Sequence, residues 1–349
     1  MRAALLAVLL ASLSPRTGSY CTWQEVLARP AEDRPVPRYG ASVIKHEQRL
    51  IVFGGYTGAF SNRYLNDLWT FNYAEHAPTP SATATAAQLE AATSRDLSRW
   101  RRIKVTGASP SGRYGHMAAA VGGAMFVFGG NAGGSDLSDE LWRFDLSDQT
   151  WARVPSSGGG GPTPRTSACA VAIDGSVYVF GGWSSTLGPL NELWRLDAAS
   201  FRWSVLTNGT SGRPEPPGRH SHSAVKVSSD LMIFGGRTES SYLDDLWRFD
   251  VAKREWTVVE QDAFDSRPRR RASQVAVPGG GGLLLWGGYT EAEGYQSDTW
   301  QVRLGPVSAE MRASLTTTQI SSRTPQGRPS RRLWRHRRPS RRSCRPGPK

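Results

Sequence analysis

Short apolar runs alternate with polar, glycine-rich connections along most of this chain, and five of the runs close in the dipeptide Gly-Gly, at Gly54, Gly129, Gly181, Gly235 and Gly287 and the residue after each. The spacings between these pairs are 75, 52, 54 and 52 residues, so a unit of about fifty residues repeats, a period typical of propellers and solenoids. The runs Leu50 to Phe53, Met125 to Phe128, Val177 to Phe180 and Leu231 to Phe234 are β-branched and aromatic and read as buried strands. A dozen residues on stands an acidic-Leu-Trp signature ending at Trp69, Trp142, Trp194 and Trp247, with a weaker form at Trp300, which predicts the next strand. A further Trp follows nine residues later at Trp151, Trp203 and Trp256, with Trp100 displaced in the first unit; each begins a stretch of alternating character that predicts another strand. Upstream of the glycines, Arg38, Arg113, Arg165, Arg219 and Arg271 each open a small-residue and aliphatic strand. Four strands per unit make a propeller blade, and the fold class is all-β.

Arg113-Tyr114-Gly115-His116 together with Gly-Gly, acidic-Leu-Trp and the spaced second Trp resembles the Kelch repeat, in the variant whose first strand begins Arg-x-Gly-His; Arg219-His220-Ser221-His222 nearly matches it. The resemblance covers roughly residues 22 to 304 and implies a Kelch-type β-propeller with a protein-binding role. Kelch propellers usually have six or seven blades, whereas five are counted here, which reads either as a small propeller or as a sequence lacking a blade. Thr22 to Val26 has the fourth-strand pattern and is expected to complete the fifth blade, closing the ring from the N-terminal side. Tandem glycines suit a sharp turn at positive φ near a crowded axis. Ten of the thirteen Trp fall on third and fourth strands and are expected to pack between sheets, each covering roughly 150–250 Å².

Composition changes the picture at the two ends. Met1-Arg2, an apolar run from Ala3 to Leu13, Pro15 and small residues predict a signal peptide over 1–19, cut near Tyr20, and hence secretion or residence in the secretory lumen. The run is too short to span a bilayer, so no transmembrane segment is expected. Residues 20–304 are then the propeller. Residues 305–349 hold twelve Arg or Lys against one acid, Glu310, and so contribute +11 of the chain's net +13. They are expected to form a disordered basic tail; the high pI by itself is not taken to imply nucleic-acid binding. An insertion over about 74–98, rich in Ala, Thr and Pro, reads as a long loop in the first unit. A sequon at Asn208-Gly209-Thr210 lies between blades and would be glycosylated in a secreted protein.

Chemistry is faint. Three Cys cannot form a disulfide framework; Cys169 falls in a first strand as a small core residue, and whether Cys21 pairs with Cys344 is left open. His116 and His222 share a register two blades apart, while His46, His76 and His336 stand in poorly patterned segments, so no metal spacing, no cofactor site and no nucleophile motif emerges. One repeated feature remains. Arg38, Arg113, Arg165, Arg219 and Arg271 recur at the mouth of the first strand, and with His116 and His222 they form a candidate channel-mouth site for an acidic ligand. The acidic set Asp67, Glu140, Glu192, Asp245 and Asp298 recurs as regularly and could neutralise them. The expectation is a secreted, monomeric interaction module for an unidentified protein partner. The alternatives are a carbohydrate-active or oxidase-like enzyme or ligand binder using the channel mouth, and a fragment of a larger Kelch protein.

Overall fold

The computed structural model describes residues 34–58, 62–72, 100–134, 137–155, 160–261, 268–279, 282–303 and 318–320. The first sheet comprises β1 (Ser42–His46), β2 (Arg49–Phe53), β3 (Leu68–Asn72) and β4 (Trp100–Ile103); the second comprises β5 (Met117–Val121), β6 (Ala124–Phe128), β7 (Leu141–Asp145) and β8 (Trp151–Val154). The third sheet is built from β9 (Cys169–Ile173) and β10 (Ser176–Phe180), then, after a small hairpin of β11 (Trp183–Ser184) and β12 (Gly188–Pro189), from β13 (Leu193–Asp197) and β14 (Trp203–Thr207). The fourth holds β15 (Ser223–Val227), β16 (Asp230–Arg237), β17 (Tyr242–Asp250) and β18 (Glu255–Val259); the fifth holds β19 (Val275–Gly279), β20 (Gly282–Thr290), β21 (Gly294–Arg303) and β22 (Thr318–Ile320). These are five antiparallel, four-stranded blades of a β-propeller, with β1, β5, β9, β15 and β19 as successive innermost strands.

One expected strand is replaced. The outer place on the fifth sheet, expected for Thr22 to Val26, is taken by Thr318–Ile320, which pairs with Thr299–Gln301. A Thr-rich stretch ending in Ile320 supplies β-prone residues within the segment expected to be disordered throughout. Thr22 to Val26, the signal peptide, the 74–98 insertion and the rest of the basic tail lie outside the described residues.

The repeat is one of register. Second and third strands place Val52, Val127, Val179, Ile233 and Leu285 opposite Trp69, Trp142, Trp194, Trp247 and Trp300. On the fourth strands, Trp151, Trp203 and Trp256 reach across to Phe53, Phe128 and Phe180 of the preceding sheet, with ring centroids 5.0, 5.3 and 5.1 Å apart. Four apolar cores join sheet one to two, two to three, three to four and four to five, and the first three of them hold such a contact.

The tandem glycines satisfy two constraints at once. All ten have positive φ, and a Cβ on Gly129 or Gly181 would stand 2.6 Å from the carbonyl oxygen of Arg165 or Arg219 in the next sheet. The second glycine donates its N–H to that same carbonyl, as in Gly130 to Arg165 at 2.9 Å and Gly182 to Arg219 at 2.9 Å. A side chain here would force neighbouring blades apart. Gly181→Ala is therefore expected to lower stability by more than about 2 kcal/mol, since backbone strain and a backbone clash combine. Gly123→Ala, with φ 74° but nothing within 4 Å of its Cβ, should cost about 1 kcal/mol by strain alone. Equal losses in thermal or urea melts of the two variants would refute the interblade role.

Candidate functional site

Four residues ahead of each first strand stands an arginine whose side chain folds back into its own blade. Arg113, Arg165 and Arg219 are 0% exposed and Arg271 is 1%. Arg38, Arg219 and Arg271 grip Asp67, Asp245 and Asp298 with two hydrogen bonds each, 2.5 to 2.9 Å long. Arg113 and Arg165 reach Glu140 and Glu192 at 2.7 and 2.6 Å. The Nη1 of every one of the five also donates to the carbonyl of its blade's first glycine, at 2.8 to 3.1 Å. The third-strand indole N–H then donates to the same carboxylate, as Trp247 does to Asp245 at 2.7 Å.

Burial opposes ionisation of Asp67, Glu140, Glu192 and Asp298, yet the arginine and indole hydrogen bonds and the arginine charge hold all four below the ordinary carboxylate range. The pairing is within blades, and it uses the guanidinium edges that an acidic ligand would need. The five arginines thus fix the blades and do not line the mouth.

His116 and His222 are also interior. His116 lies edge-on to Phe53 at 5.1 Å with Nε2 2.8 Å from the Ser42 hydroxyl; His222 packs on Phe180 at 5.3 Å, and neither of its ring nitrogens has a hydrogen-bond partner. Gln274 stands at the same register in the fifth blade and donates its amide to the Phe234 carbonyl at 2.7 Å. Burial, then the nearby Arg113 or Arg219, pushes each imidazole down to about 3, so both are neutral. The Cys169 thiol donates to the His222 carbonyl at 2.7 Å and is pushed up to about 12 by burial. Among the described residues no group of three His, Cys, Asp or Glu side chains is placed to hold a metal, and no helix is long and apolar enough to cross a membrane.

What does line the mouth sits one residue away from the motif. The residue after each arginine bridges to the residue after each Gly-Gly: Tyr39 with Tyr56, Tyr114 with Asn131, Thr166 with Trp183, His220 with Arg237 and Ala272 with Tyr289. Tyr39, Tyr56, Tyr64 and Tyr114 form one cluster with centroids 5.0 to 5.8 Å apart, and partial burial plus the three neighbouring phenols raises the Tyr39 hydroxyl above 10. Farther round, Trp183 meets His220 at 5.7 Å, Arg237 lies 5.4 Å over the Tyr242 ring, and Tyr289 touches both Tyr242 and Tyr295. Tyr39 is 48% exposed and Tyr295 is 87%. Arg63 and Arg237 are exposed and have no acidic partner among the described residues. None of these aromatic positions is a candidate in the sequence; Tyr39, Tyr56, Tyr114, Trp183 and Tyr289 stand one residue after a motif arginine or glycine pair, whereas Tyr64, Tyr242 and Tyr295 have no such mark.

The buried histidines make a pH prediction. An unfolded imidazole titrates near 6.5, whereas the folded ones stay neutral down to about 3, so only the unfolded chain gains protons in that window. Stability is fully present above pH 6.5 and falls as pH drops, by roughly 1.4 kcal/mol per unit per histidine, or about 2 kcal/mol each at pH 5. Replacing His222 with Gln, the residue used at Gln274, should flatten the loss between pH 6.5 and 5; an unchanged slope in urea titrations would refute the assignment.

Comparison with known proteins places these features in context. A family profile, the KLHDC2/KLHL20/DRC7 Kelch-repeats domain, matches residues 16–158, 92–288 and 221–336. Human Kelch domain-containing protein 3 is 27% identical over 262 residues, covering 73% of this chain and 62% of its own length. Human Host cell factor 2 is 30% identical over 281 residues, covering 69% and 32%. The Leucine-zipper-like transcriptional regulator 1 homolog of Drosophila melanogaster is 26% identical over 277 residues, covering 76% and 26%. The chain therefore spans only part of the length of these relatives.

Proposed function

The chain belongs to the Kelch-repeat family, and from that premise we propose that it is a protein-interaction module whose contact surface is the aromatic, basic rim around the mouth. The observation that carries this reading is the tyrosine cluster of Tyr39, Tyr56, Tyr64 and Tyr114, in which Tyr39 is exposed and the other three are half-buried, continued round the rim by half-buried Trp183 and Tyr289 and by exposed Tyr295. Rigid rings cover much area with few rotatable bonds, and Tyr, Trp and Arg carry the largest share of binding energy at protein interfaces. With Arg63 and Arg237 exposed beside the rings, the matching surface is an extended segment bearing apolar side chains and carboxylates.

The same reading takes the chain through the secretory pathway, which the Met1 to Leu13 leader pattern and the exposed sequon at Asn208 support. Intact mass of the protein secreted from a eukaryotic host is expected to begin near Tyr20, and Asn208→Gln is expected to remove the mass of one glycan. Retention of the protein inside the cell with residues 1–19 attached would overturn this part.

Interaction through the rim is tested by quantitative affinity capture with a variant carrying Tyr39→Ala, Tyr114→Ala and Arg237→Ala. Loss of two or three such anchors is expected to reduce partner recovery at least about tenfold. Gln48→Ala with Lys253→Ala, in turns at the opposite end of the blades, should leave recovery unchanged. Equal recovery by both variants, with matching melts, would move the interface elsewhere.

A further inference from the structure

Four of the seams between blades are closed by the same backbone ladder. Gly115, Ser167, Ser221 and Ser273 each donate an N–H to the carbonyl of the preceding blade's equivalent residue, at 2.7 to 2.8 Å. Gly55, Gly130, Gly182 and Gly236 each donate to the next blade's arginine carbonyl, at 2.8 to 2.9 Å. Continuing the pattern from the fifth blade to the first would join Gly40 N–H to Ser273 and Gly288 N–H to Arg38, and neither bond forms. A Cβ on Gly287 would meet only Gln296 of its own blade, whereas those on Gly54, Gly129, Gly181 and Gly235 would strike a neighbour's arginine carbonyl. The innermost strands β19 and β1 do not pack as the four other neighbouring pairs do.

The two walls of this seam differ. On the fifth sheet, the face carrying Leu284 and Trp286 is half-buried, while its counterparts Ile51 and Phe53 on the first sheet are 3% and 0% exposed. On the first sheet, Val43, Val52 and Trp69 lie opposite one another on the seam face, as do Lys45, Leu50, Phe71 and Trp100. Leu50, Val52 and Phe71 are 1%, 1% and 5% exposed, yet they belong to none of the four cores shared between sheets. In the second blade the matching residues Met125, Val127 and Phe144 are buried because the first sheet covers them.

We propose that this chain's own N-terminal segment, Cys21 to Leu27, lies in the seam, with Trp23 against the Leu50, Val52 and Phe71 face. Connectivity favours it, because the chain reaches the first sheet through Arg34 to Arg38, directly ahead of its innermost strand β1, which borders the seam. The seven residue-to-residue steps from Leu27 to Arg34 reach about 23 Å when extended, more than the length of a five-residue strand. Chemistry favours it as well. The segment offers Trp23, Val26 and Leu27 to an apolar wall, and the family match begins at residue 16, ahead of the first sheet. This differs from strand pairing at the outer edge of the fifth sheet, where β22 already lies.

The test uses the full chain carrying Cys344→Ser and Lys45→Cys. Lys45 is exposed on the seam face, Cys21 is native, and the Cys169 thiol stays protonated at neutral pH. A short bismaleimide should link Cys21 to the introduced thiol within one molecule, as read by peptide mass. It should not link Cys21 to a thiol introduced by Lys226→Cys, at the same register on the fourth sheet. No link at position 45, equal linking at both positions, or a link only between two molecules would each overturn the proposal; the last would assign the seam to a second copy. Amide exchange supplies an independent reading. Trp23→Ala should speed exchange across Val43 to Phe53 and leave β15 to β18 unchanged; unchanged exchange in the first sheet, or faster exchange confined to β21, would overturn the assignment.

Discussion

A buried guanidinium in every blade is the interaction on which the rest depends. Removing an arginine from water is costly unless its charge is paired and its donors are met, and breaking one such pair costs about 3–5 kcal/mol. Here the cost is offset five times by one arrangement: a carboxylate from the third strand, the carbonyl of the first glycine, and a carbonyl two residues upstream, as Arg165 takes from Thr163 at 2.9 Å. The arginine side chain therefore ties the first strand to the second and third of its own sheet. In four of the five, Arg38 being the exception, its backbone carbonyl meanwhile accepts from the glycine of the preceding sheet. One residue thus sets both the shape of the blade and its spacing from the neighbour. The glycines follow from it, because no side chain fits between that carbonyl and the turn.

Much of this was legible in the sequence because it repeats. The Gly-Gly period, the apolar runs and the Trp spacing place every blade strand except the outer one of the fifth sheet, and Trp151, Trp203 and Trp256 pack between sheets as their regularity suggests. What repetition gives is position and not direction. The arginines recur with an equally regular acidic set, which points to pairing, but the spacing does not say whether the pairs form within a blade, as Arg38 with Asp67 and Arg165 with Glu192 do, or between blades. The rim was hard to read for the opposite reason. Tyr39, Tyr114, Thr166, His220 and Ala272 share a register but no chemistry, and they run from exposed Tyr39 to buried Ala272, so nothing beyond their offset from the motif arginine marks them. Strand β22 carries no sequence signal of its own because Thr318 to Ile320 is short, has no Trp and stands among arginines; the open edge of β21 gives it its pairing partner.

Position 116 and its equivalents show the same division between lock and variation. A histidine in the second and fourth blades and a glutamine in the fifth fill one interior slot, while Ala41 and Ala168 occupy it in the first and third. The slot tolerates different polarity because the Arg, acid and glycine set already fixes the blade. His222 retains two buried ring nitrogens without partners, a desolvation cost that this framework is strong enough to carry. That gives the fold a weakness toward acid which the arginine network does not share until its carboxylates protonate at lower pH.

Lock and contact surface are adjacent in sequence and separate in role. Just ahead of each first strand the arginine is buried against its own blade while the next residue forms only an isolated bridge to the residue after Gly-Gly, so the rim can change without disturbing the interblade ladder. Successive residues of an extended strand point to opposite sides, and this alternation alone makes the separation possible. The aromatic rim is concentrated on blades one and two and again on blades four and five, the two pairs that flank the unjoined seam. Whatever fills that seam therefore sets the distance between the two aromatic groups. Closure of the arc and the shape of the binding face are one geometric problem, in which the blade spacing fixed by the buried arginines at four seams is left to another segment at the fifth.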